Sequence, residues 1–433
     1  MSILNAVRVR WLVAPLLARG QVAPVLALAL LMAACAGPRK AAPPVAAPPP
    51  PPAVVVAPQP LPEAAQNRIA LLVPLTGANA PVGQSIANAA NLALLDVGEK
   101  NLNLRVYDTA AGAGVAAQAA LRDGAGLILG PLLAADVAPV TAAIGARPVP
   151  VISFSNDAGV AESAGAGVYV MGFQPGQAIT RVVQFARDKG VARFAALMPE
   201  GTYGQRAQTA FVRAVNDAGG RTTAIASYAR NPIKMAAAAR LVTGYEARIK
   251  AGAKPVIRPD GTVARAAGLL GPVPFQALLI ADSGSTAAQF MPALARFGAS
   301  SGSIVVLGTE LWNTEPAVRR TPALKGALFA AVPDERFGRL AERYRTRFGS
   351  SPSRLASFGY DAVLLVNSLA GRWALGAPFP RAVLNSRDGF AGIDGAFRFT
   401  PSGIAERALE VNQVGAGALV TVSPAPRTFG SQN

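Results

Sequence analysis

Short runs of Val, Ile and Leu alternate with longer Ala-rich stretches from residue 68 almost to the end of the chain. The runs, such as IALLVPL, GLILGPL and FQALLIAD, are continuously apolar, which is typical of parallel strands buried on both faces. The stretches between them, such as SIANAANLALLD, suit helices. Parallel neighbours require helical crossovers, so the pattern predicts an α/β fold of open, doubly wound parallel sheets, two of them over about 360 residues.

The first 34 residues form a different kind of segment. Three arginines precede an apolar stretch, residues 22–34, that is too short to span a membrane and ends in small residues. This is the pattern of a secretory signal, and it ends at Cys35, the only cysteine. The segment resembles a bacterial lipoprotein signal, which implies cleavage before Cys35, acylation of Cys35 and, because Ala36 is not Asp, export to the outer membrane. An ordinary signal peptide is the alternative.

The segment that follows, residues 35–66, is predicted to be a linker. Its residues 36–66 include 11 prolines, which prevent a packed core and favour an extended polyproline II conformation. At about 3 Å per residue such a segment reaches up to ~95 Å. A spacer that needs this reach and a linker of no particular length are both consistent with the composition.

The chain is strongly basic, with a formal net charge of +17. Removal of residues 1–34, which contain three arginines and no acidic residue, leaves +14. Outside the cytoplasm, the acidic partners of such a chain are lipid head groups, lipopolysaccharide, cell-wall polymer or an acidic protein face. We therefore do not expect nucleic acid as a partner.

The chain contains no histidine, which excludes a histidine general base and histidine metal ligands. The G-x-G-x-x-A match at residues 112–117 follows the second predicted strand and not the first, which disfavours a dinucleotide site. The G-x-S-x-G match at residues 298–302 precedes a predicted strand, whereas a nucleophilic serine follows one. We expect no catalytic residue, no cofactor and no metal.

Small polar side chains gather where five predicted strands end. In open α/β sheets these carboxyl ends form the ligand crevice. Each residue alone also suits a helix cap, so the recurrence after five strands is what indicates a site. The candidate residues are Thr76, Gly77, Ser153, Ser155, Asn156, Tyr203, Asp282, Ser283, Glu310 and Trp312.

Several blocks in order, RIALLVPLTGANAPVGQSIANAANLALLD, GLILGPLLAADVAPV, VPVISFSND and FAGIDGAFRFTPSG, resemble type I periplasmic binding proteins of the Leu/Ile/Val-binding group. The resemblance covers nearly all of residues 67–425. It implies two lobes joined by three crossovers, with a short tail after them. We place lobe 1 at 67–172 and 332–390, lobe 2 at 173–331 and 391–425, and the tail at 426–433.

The resemblance also implies how a ligand would be held. In amino-acid binders of this group, a hydroxyl in the loop matching GPLLAAD and polar groups matching SFSND hold the ligand carboxylate. The first of these positions is Ala134 or Ala135 here, and the second is supplied by Ser153, Ser155 and Asn156. An acid from lobe 2 holds the ligand ammonium, and Glu310 or Asp282 is the candidate, with Tyr203 as an aromatic lid. We expect the carboxylate clamp to be incomplete.

The blocks PFQALLIADSG, LGTELWN and RLASFGYDAV are more similar to the penicillin-binding-protein activator lipoproteins. This resemblance implies a noncatalytic, lipid-anchored protein on the periplasmic face of the outer membrane that activates a peptidoglycan synthase by direct contact. The best-studied activators carry a helical-repeat domain where this chain has its proline-rich linker. The alternative is the solute-binding component of an ABC-type amino-acid transporter, with a small ligand in the inter-lobe cleft.

Between residues 240 and 265, basic residues outnumber acidic ones, and a turn is predicted at Asp260-Gly261. The segment is either a basic arm that contacts an acidic partner or a solvated insertion. Its basic residues are Arg240, Arg248, Lys250, Lys254, Arg258 and Arg265.

Overall fold

The computed structural model describes residues 66–165, 167–252, 254–257, 259–260, 262–266, 270–313 and 315–429. The predicted signal, Cys35 and the linker up to residue 65 lie outside the described residues. Within the described part of the chain, no helix combines the length and the apolar character that a membrane crossing requires.

The first sheet has five strands, and all of them are parallel. The spatial order is β2-β1-β3-β4-β5. The apolar runs form its middle strands because their side chains are buried on both faces. The elements are β1 (Asn67–Val73), α1 (Ala80–Val97), β2 (Leu102–Asp108), α2 (Ala113–Arg122), β3 (Leu127–Leu129), α3 (Val137–Ile144), β4 (Val151–Ser153), α4 (Gly159–Ala164) and β5 (Val168–Val170).

The chain then builds most of a second sheet, together with a separate hairpin of β8 and β9. The elements are α5 (Pro175–Asp188), β6 (Arg193–Pro199), α6 (Thr202–Asp217), β7 (Arg221–Tyr228), α7 (Pro232–Val242), α8 (Tyr245–Gly252), β8 (Lys254–Ile257), β9 (Val263–Ala266), β10 (Ala277–Ile280), α9 (Gly284–Arg296), β11 (Val305–Gly308), α10 (Pro316–Arg320) and β12 (Leu328–Ala331).

The last part of the chain serves both lobes. Two helices and a small antiparallel sheet come first, and two strands then complete the second sheet in the order β17-β16-β12-β11-β10-β6-β7. In that sheet β16 pairs antiparallel with both of its neighbours, β12 and β17, and the other pairs are parallel. The elements are α11 (Glu335–Phe348), α12 (Ala356–Leu369), β13 (Phe390–Gly392), β14 (Gly395–Phe399), β15 (Ala405–Arg407), β16 (Glu410–Val414) and β17 (Leu419–Ser423). The predicted α/β class with doubly wound, mainly parallel sheets is confirmed.

Each lobe has a core on both faces of its sheet. The sequence predicts that the chain returns to lobe 2 at residue 391, but the packing of the side chains places this return later in the chain. Phe397, Phe399 and Ala405 lie in the core of the first lobe, where Phe399 packs against Tyr169 of β5 with ring centroids 5.1 Å apart, whereas Leu409 lies in the core of the second lobe. The chain therefore returns at Ala408, because alternate side chains of the β13–β15 sheet cover the first lobe.

The basic segment is partly tied to the second lobe. Arg240 forms an ion pair with Glu246, and the Arg248 guanidinium donates hydrogen bonds to the carbonyl oxygens of Gly271 and Phe297. The backbone of β8 and β9 pairs around the predicted turn, where Thr262 N–H donates to Asp260 Oδ1 at 2.9 Å. The choice between a basic arm and an insertion stays a prediction.

Candidate functional site

A cavity of about 490 Å³ lies between the two lobes, at the carboxyl ends of β3, β4, β11 and β12. Its volume is in the range of small-molecule pockets. Open α/β sheets place ligands at these strand ends. The lining residues are Asn79, Val82, Leu132, Leu133, Phe154, Asn156, Phe173, Gln174, Gln177, Ala178, Glu310, Leu311, Asn313, Ala331, Val332, Arg354, Leu355, Phe358, Arg407 and Leu409.

The first-lobe wall begins at the end of β3 with Gly130. Its φ is +89°, and a Cβ there would lie 2.1 Å from the carbonyl oxygen of Leu72, so only glycine fits. The chain then presents Leu132 and Leu133 to the cavity. Ala134, where the resemblance implies a hydroxyl in amino-acid binders, begins a short 3₁₀ helix and is not among the lining residues. This part of the wall is apolar.

The hydroxyls after β4 are engaged within the protein. Ser153 Oγ donates to the Pro131 carbonyl oxygen at 3.0 Å and accepts from Ser155 N–H at 3.1 Å. Ser155 Oγ accepts from Asp157 N–H at 3.0 Å. Both serines are buried, so they shape the loop and do not line the cavity. Of the residues predicted here, Asn156 alone lines it.

On the second-lobe wall, Glu310 follows β11 and lines the cavity. Tyr203 Oη lies 3.3 Å from Thr309 Oγ1 and 3.5 Å from Glu310 Oε1. The other carboxyl oxygen, Oε2, is buried and has no hydrogen-bond partner among the described residues. Burial raises the pKa of Glu310 to about 7, although Glu310's own backbone N–H and the Tyr203 hydroxyl favour the charged form. A ligand that donates a hydrogen bond would satisfy Oε2.

The second acid candidate, Asp282, already has partners. Tyr228 Oη donates to Asp282 Oδ2 at 2.9 Å, and the Arg230 guanidinium reaches both carboxylate oxygens, with Nε at 2.9 Å and Nη2 at 3.2 Å. Asp282 is not among the lining residues. Of the two acids that the sequence left open, Glu310 is the one that faces the cavity.

The other candidate residues have structural contacts outside the cavity lining. Ser283 caps α9 by accepting from Thr286 N–H. Trp312 is fully buried and donates from Nε1 to the Asp282 carbonyl oxygen at 3.0 Å. Thr76 Oγ1 donates to Asp108 Oδ2 at 2.8 Å, and Gly77, with a φ of +74°, continues the turn into α1.

Sequence reasoning missed the aromatic part of the cavity. Phe154, Phe173 and Phe358 all line it, and they come from the loop after β4, the first crossover and α12. Phe173 and Phe358 have ring centroids 4.7 Å apart, and those of Phe154 and Phe358 are 5.9 Å apart. In the sequence each phenylalanine resembles an ordinary core residue, so no signal separates them.

Two arginines that the sequence did not single out also line the cavity. Arg354 precedes α12, and its Nη2 lies 2.7 Å from Asp394 Oδ1. Arg407 ends β15, and its Nη2 donates to the Met171 carbonyl oxygen at 2.8 Å. Both guanidinium groups lie over the ring of Phe173, at 5.6 Å and 5.0 Å from its centroid.

Behind the arginines, Asp361 is fully buried on α12. Its Oδ1 accepts from Ile393 N–H at 2.5 Å, and its Oδ2 from Asp394 N–H at 3.3 Å. Burial raises the pKa of Asp361 to about 7, with a further contribution from the charge of Asp394. Gly392 is required beside it, because a Cβ there would lie 2.4 Å from Asp361 Oδ2.

Contacts also join the lobes on either side of the cavity. Arg206 on α6 forms an ion pair of 2.6 Å with Asp157, in the loop after β4. Near the third crossover, Gln177 Nε2 donates to the Ala405 carbonyl oxygen at 2.6 Å, and its Oε1 accepts from Arg407 N–H at 3.0 Å. The lobes are thus bridged at two places.

Residues 66–418 match the family model of the periplasmic binding proteins. The chain belongs to the periplasmic binding protein family. This binding protein has the type I architecture, with two mainly parallel sheets and a cavity between its lobes. The family is one of noncatalytic solute-binding proteins, and membership indicates a periplasmic location. No curated protein matches the chain.

Solved structures similar to this binding protein agree with that assignment of the fold. One is a branched-chain amino acid ABC transporter periplasmic ligand-binding protein from Burkholderia xenovorans LB400 (18% identity, TM-score 0.62, 84% of this chain and 97% of that chain covered). A substrate-binding protein from Desulfitobacterium hafniense in complex with Leu is 18% identical (TM-score 0.58, 82% and 100% covered). A solute-binding protein from Rhodopseudomonas palustris in complex with 4-hydroxybenzoate is 15% identical (TM-score 0.56, 85% and 98% covered).

Proposed function

We propose that this protein is the solute-binding component of a transporter and that its inter-lobe cavity takes a small, largely apolar ligand that donates a hydrogen bond to Glu310. The observation that carries the proposal is the Oε2 atom of Glu310, which is buried at the cavity without a partner among the described residues. A buried acceptor without a donor is unfavourable by about 1–3 kcal/mol. A ligand N–H or O–H would recover that free energy.

The surroundings of Glu310 support an apolar ligand body. The cavity offers three phenylalanine rings and several leucine and valine side chains, and its polar groups are few. Pockets of this kind bind the ligand by apolar burial and orient it by a small number of polar contacts. The similar proteins in complex with Leu and with 4-hydroxybenzoate hold ligands of this general chemistry.

The experiment is a thermal-shift screen of the full-length protein followed by calorimetric titration. The probes are leucine, isoleucine, phenylalanine, benzoate and 4-hydroxybenzoate. A ligand at 100 times its Kd stabilises the folded state by about 2.7 kcal/mol, which raises Tm by several degrees. Glu310→Gln should weaken binding of the amino acids at least tenfold, because it removes the charge that pairs with their ammonium group. Glu342→Gln, on the exposed side of α11, is the matched control and should bind as the wild type does.

Two results would contradict this function. One is that no probe binds the wild-type protein at millimolar concentration. The other is that Glu310→Gln binds every probe as tightly as the wild type and Glu342→Gln do, which would show that Glu310 does not contact the ligand.

A second candidate function is activation of a peptidoglycan synthase by direct contact. The observation that favours it is the first-lobe wall, where Ser153 and Ser155 are engaged within the protein and Ala134 has no hydroxyl. Such a wall lacks the hydroxyl contacts that an amino-acid carboxylate uses in the binders it resembles. The full-length protein should then bind a bifunctional synthase at micromolar concentration and raise its rate; no binding would exclude this function.

Anchoring at the periplasmic face of the outer membrane suits either function, and it depends on Cys35. Mass spectrometry of the mature N-terminus should find a diacylglyceryl group on Cys35, and Cys35→Ala should release the protein from the membrane fraction. A mature N-terminus without lipid would exclude the anchor and leave an ordinary secretory signal.

A further inference from the structure

Arg354 and Arg407 bring two positive charges to the wall of the cavity beside Phe173. Arg407 is 6% exposed and Arg354 is partly buried. They are far apart in the chain, but both guanidinium groups lie over Phe173. They are the only cationic side chains among the residues that line the cavity.

The two guanidinium groups have more buried donors than hydrogen-bond acceptors. Nε and Nη2 of Arg354, Nε and Nη1 of Arg407 and both carboxylate oxygens of Asp394 are buried without a hydrogen bond among the described residues. Asp394 is the carboxylate nearest to both. It forms a close ion pair with Arg354 Nη2 at 2.7 Å and a looser one with Arg407 Nη1 at 4.0 Å, which leaves Arg407 Nε without an acceptor among the described residues.

The other acids nearby are also held by other groups. Asp361 accepts from two backbone N–H groups. Asp334 Oδ1 forms an ion pair with Arg354 Nε at 3.3 Å and also accepts a hydrogen bond from Asn313. Buried guanidinium N–H groups favour a planar, two-oxygen acceptor, which a ligand carboxylate provides.

We propose that Arg354 and Arg407 bind the carboxylate of the ligand, while Glu310 accepts a hydrogen bond from its other end. The ligand class is then an apolar carboxylate with a donor group remote from the carboxylate, oriented along the phenylalanine rings. The inference rests on the proposed function, because it assigns the opposite end of the same ligand. It moves carboxylate recognition from the loop after β3, where Ala134 lies, to the segments that flank the crossovers.

The rival interpretation is structural. In it, the two arginines only neutralise Asp394 and hold the β13–β15 sheet against the first lobe. The two interpretations differ in whether removing the charge of one arginine changes the recognition of a carboxylate while the protein stays folded.

The test uses matched pairs of probes that differ in the carboxylate alone, namely 4-hydroxybenzoate against 4-hydroxybenzamide and 4-(aminomethyl)benzoate against 4-(aminomethyl)benzamide. The wild-type protein should bind at least one carboxylate tenfold or more tightly than its amide. Arg354→Gln should lose that discrimination, with the amide affinity unchanged. Arg339→Gln, on the exposed side of α11 and paired with Glu335, is the matched control and should keep it.

A wild-type measurement covers the case in which Arg354→Gln does not fold. In a crystal of the complex with 4-bromobenzoate, anomalous scattering locates the bromine and hence the direction of the ring. Bromine on the Glu310 side supports the proposal, and bromine beside Arg354 overturns it.

The outcomes separate this inference from the proposed function. If amides bind as tightly as carboxylates, or Arg354→Gln weakens both equally, the carboxylate site is wrong while ligand binding stands. If no probe of either kind binds, the proposed function fails and the carboxylate site fails with it.

Discussion

The loops after β4 and β11 face each other across the cavity, and their polar side chains differ in hydrogen bonding. After β4, Ser153 and Ser155 are hydrogen-bonded to the backbone of their own lobe. After β11, Glu310 has one carboxyl oxygen near Tyr203 and another that is buried without a partner. Buried polar groups that satisfy one another stabilise a loop, whereas one left without a partner is available to a ligand. The comparison therefore assigns structure to the first wall and recognition to the second.

The largest expected effect concerns the stability of the second wall. The pKa of Glu310 is raised from 4.5 to about 7, so between these pH values the folded protein binds a proton that the unfolded chain has released. Stability due to this group is present below pH 4.5 and is lost as the pH rises through 7, by roughly 3 kcal/mol in total. Glu310→Gln should remove this loss, and urea denaturation at pH 5 and pH 8 measures it.

The quantity that tests this prediction is the difference between the wild type and Glu310→Gln in how much the free energy of unfolding falls from pH 5 to pH 8. The fall in either protein alone does not test it. Asp361 also has a raised pKa, so it contributes a loss of the same sign in both proteins. Glu342→Gln should follow the wild type. If Glu310→Gln shows the same fall in stability from pH 5 to pH 8 as the wild type, Glu310 is not a buried acid of the second wall.

The next effect distinguishes two kinds of donor at Glu310. An ammonium group requires the charged carboxylate, so its affinity should fall about tenfold per pH unit below 7. An uncharged hydroxyl does not require the charge and should show a much smaller change. Burial keeps Tyr203 protonated over this range. Asp361, behind the two arginines, titrates in the same range, but it affects both kinds of ligand alike because both carry the carboxylate.

Calorimetric titration of 4-(aminomethyl)benzoate and 4-hydroxybenzoate at pH 5, 6, 7 and 8 measures this difference. Equal pH profiles for the two probes would mean that the ligand donor does not meet Glu310. In Glu310→Gln the difference between the two profiles should disappear over the same range, and any change that remains is common to both probes.

The sequence predicts the fold well and the cavity only in part. Continuous apolar runs such as LILG have no polar face, so they predict buried parallel strands, and the polar residues after them predict the ligand end of each sheet. The sequence does not distinguish Glu310 from Asp282, since both are acids that follow strands of one sheet. The difference comes from Arg230, which reaches Asp282 from 52 residues away in the chain.

The sequence also does not locate the point at which the chain returns to the second lobe, which we predict at residue 391, because that point depends on contacts between residues distant in the chain. Phe397 and Phe399 alternate with polar residues, a pattern typical of any half-buried strand. These side chains pack in the core of the first lobe. The alternation of apolar and polar residues in the sequence does not show which of the two lobes a strand covers. The grouping of Phe154, Phe173 and Phe358 is likewise a product of tertiary packing.

A smaller effect is expected on the first wall. Ser153→Ala removes the donor to the Pro131 carbonyl oxygen and the acceptor of Ser155 N–H, in a fully buried position. We expect a loss of about 1–3 kcal/mol in the free energy of unfolding with little change in ligand affinity. Urea denaturation and calorimetry of one sample separate the two. A large loss of affinity at unchanged stability would mean that the first wall recognises the ligand after all.

The smallest effect concerns the ion pair that joins the two walls. Arg206 from the second lobe meets Asp157, which follows the two serines, at 2.6 Å, and the arginine side chain is 43% exposed. Exposed pairs contribute about 0.2–1 kcal/mol, and salt weakens them. Arg206→Gln should therefore weaken ligand binding less than sixfold at low salt and not measurably at 1 M NaCl. Arg213→Gln, which loses an ion pair within α6, should leave affinity unchanged at both salt concentrations. Equal losses in the two variants would show that the pair does not help to hold the lobes closed over the ligand.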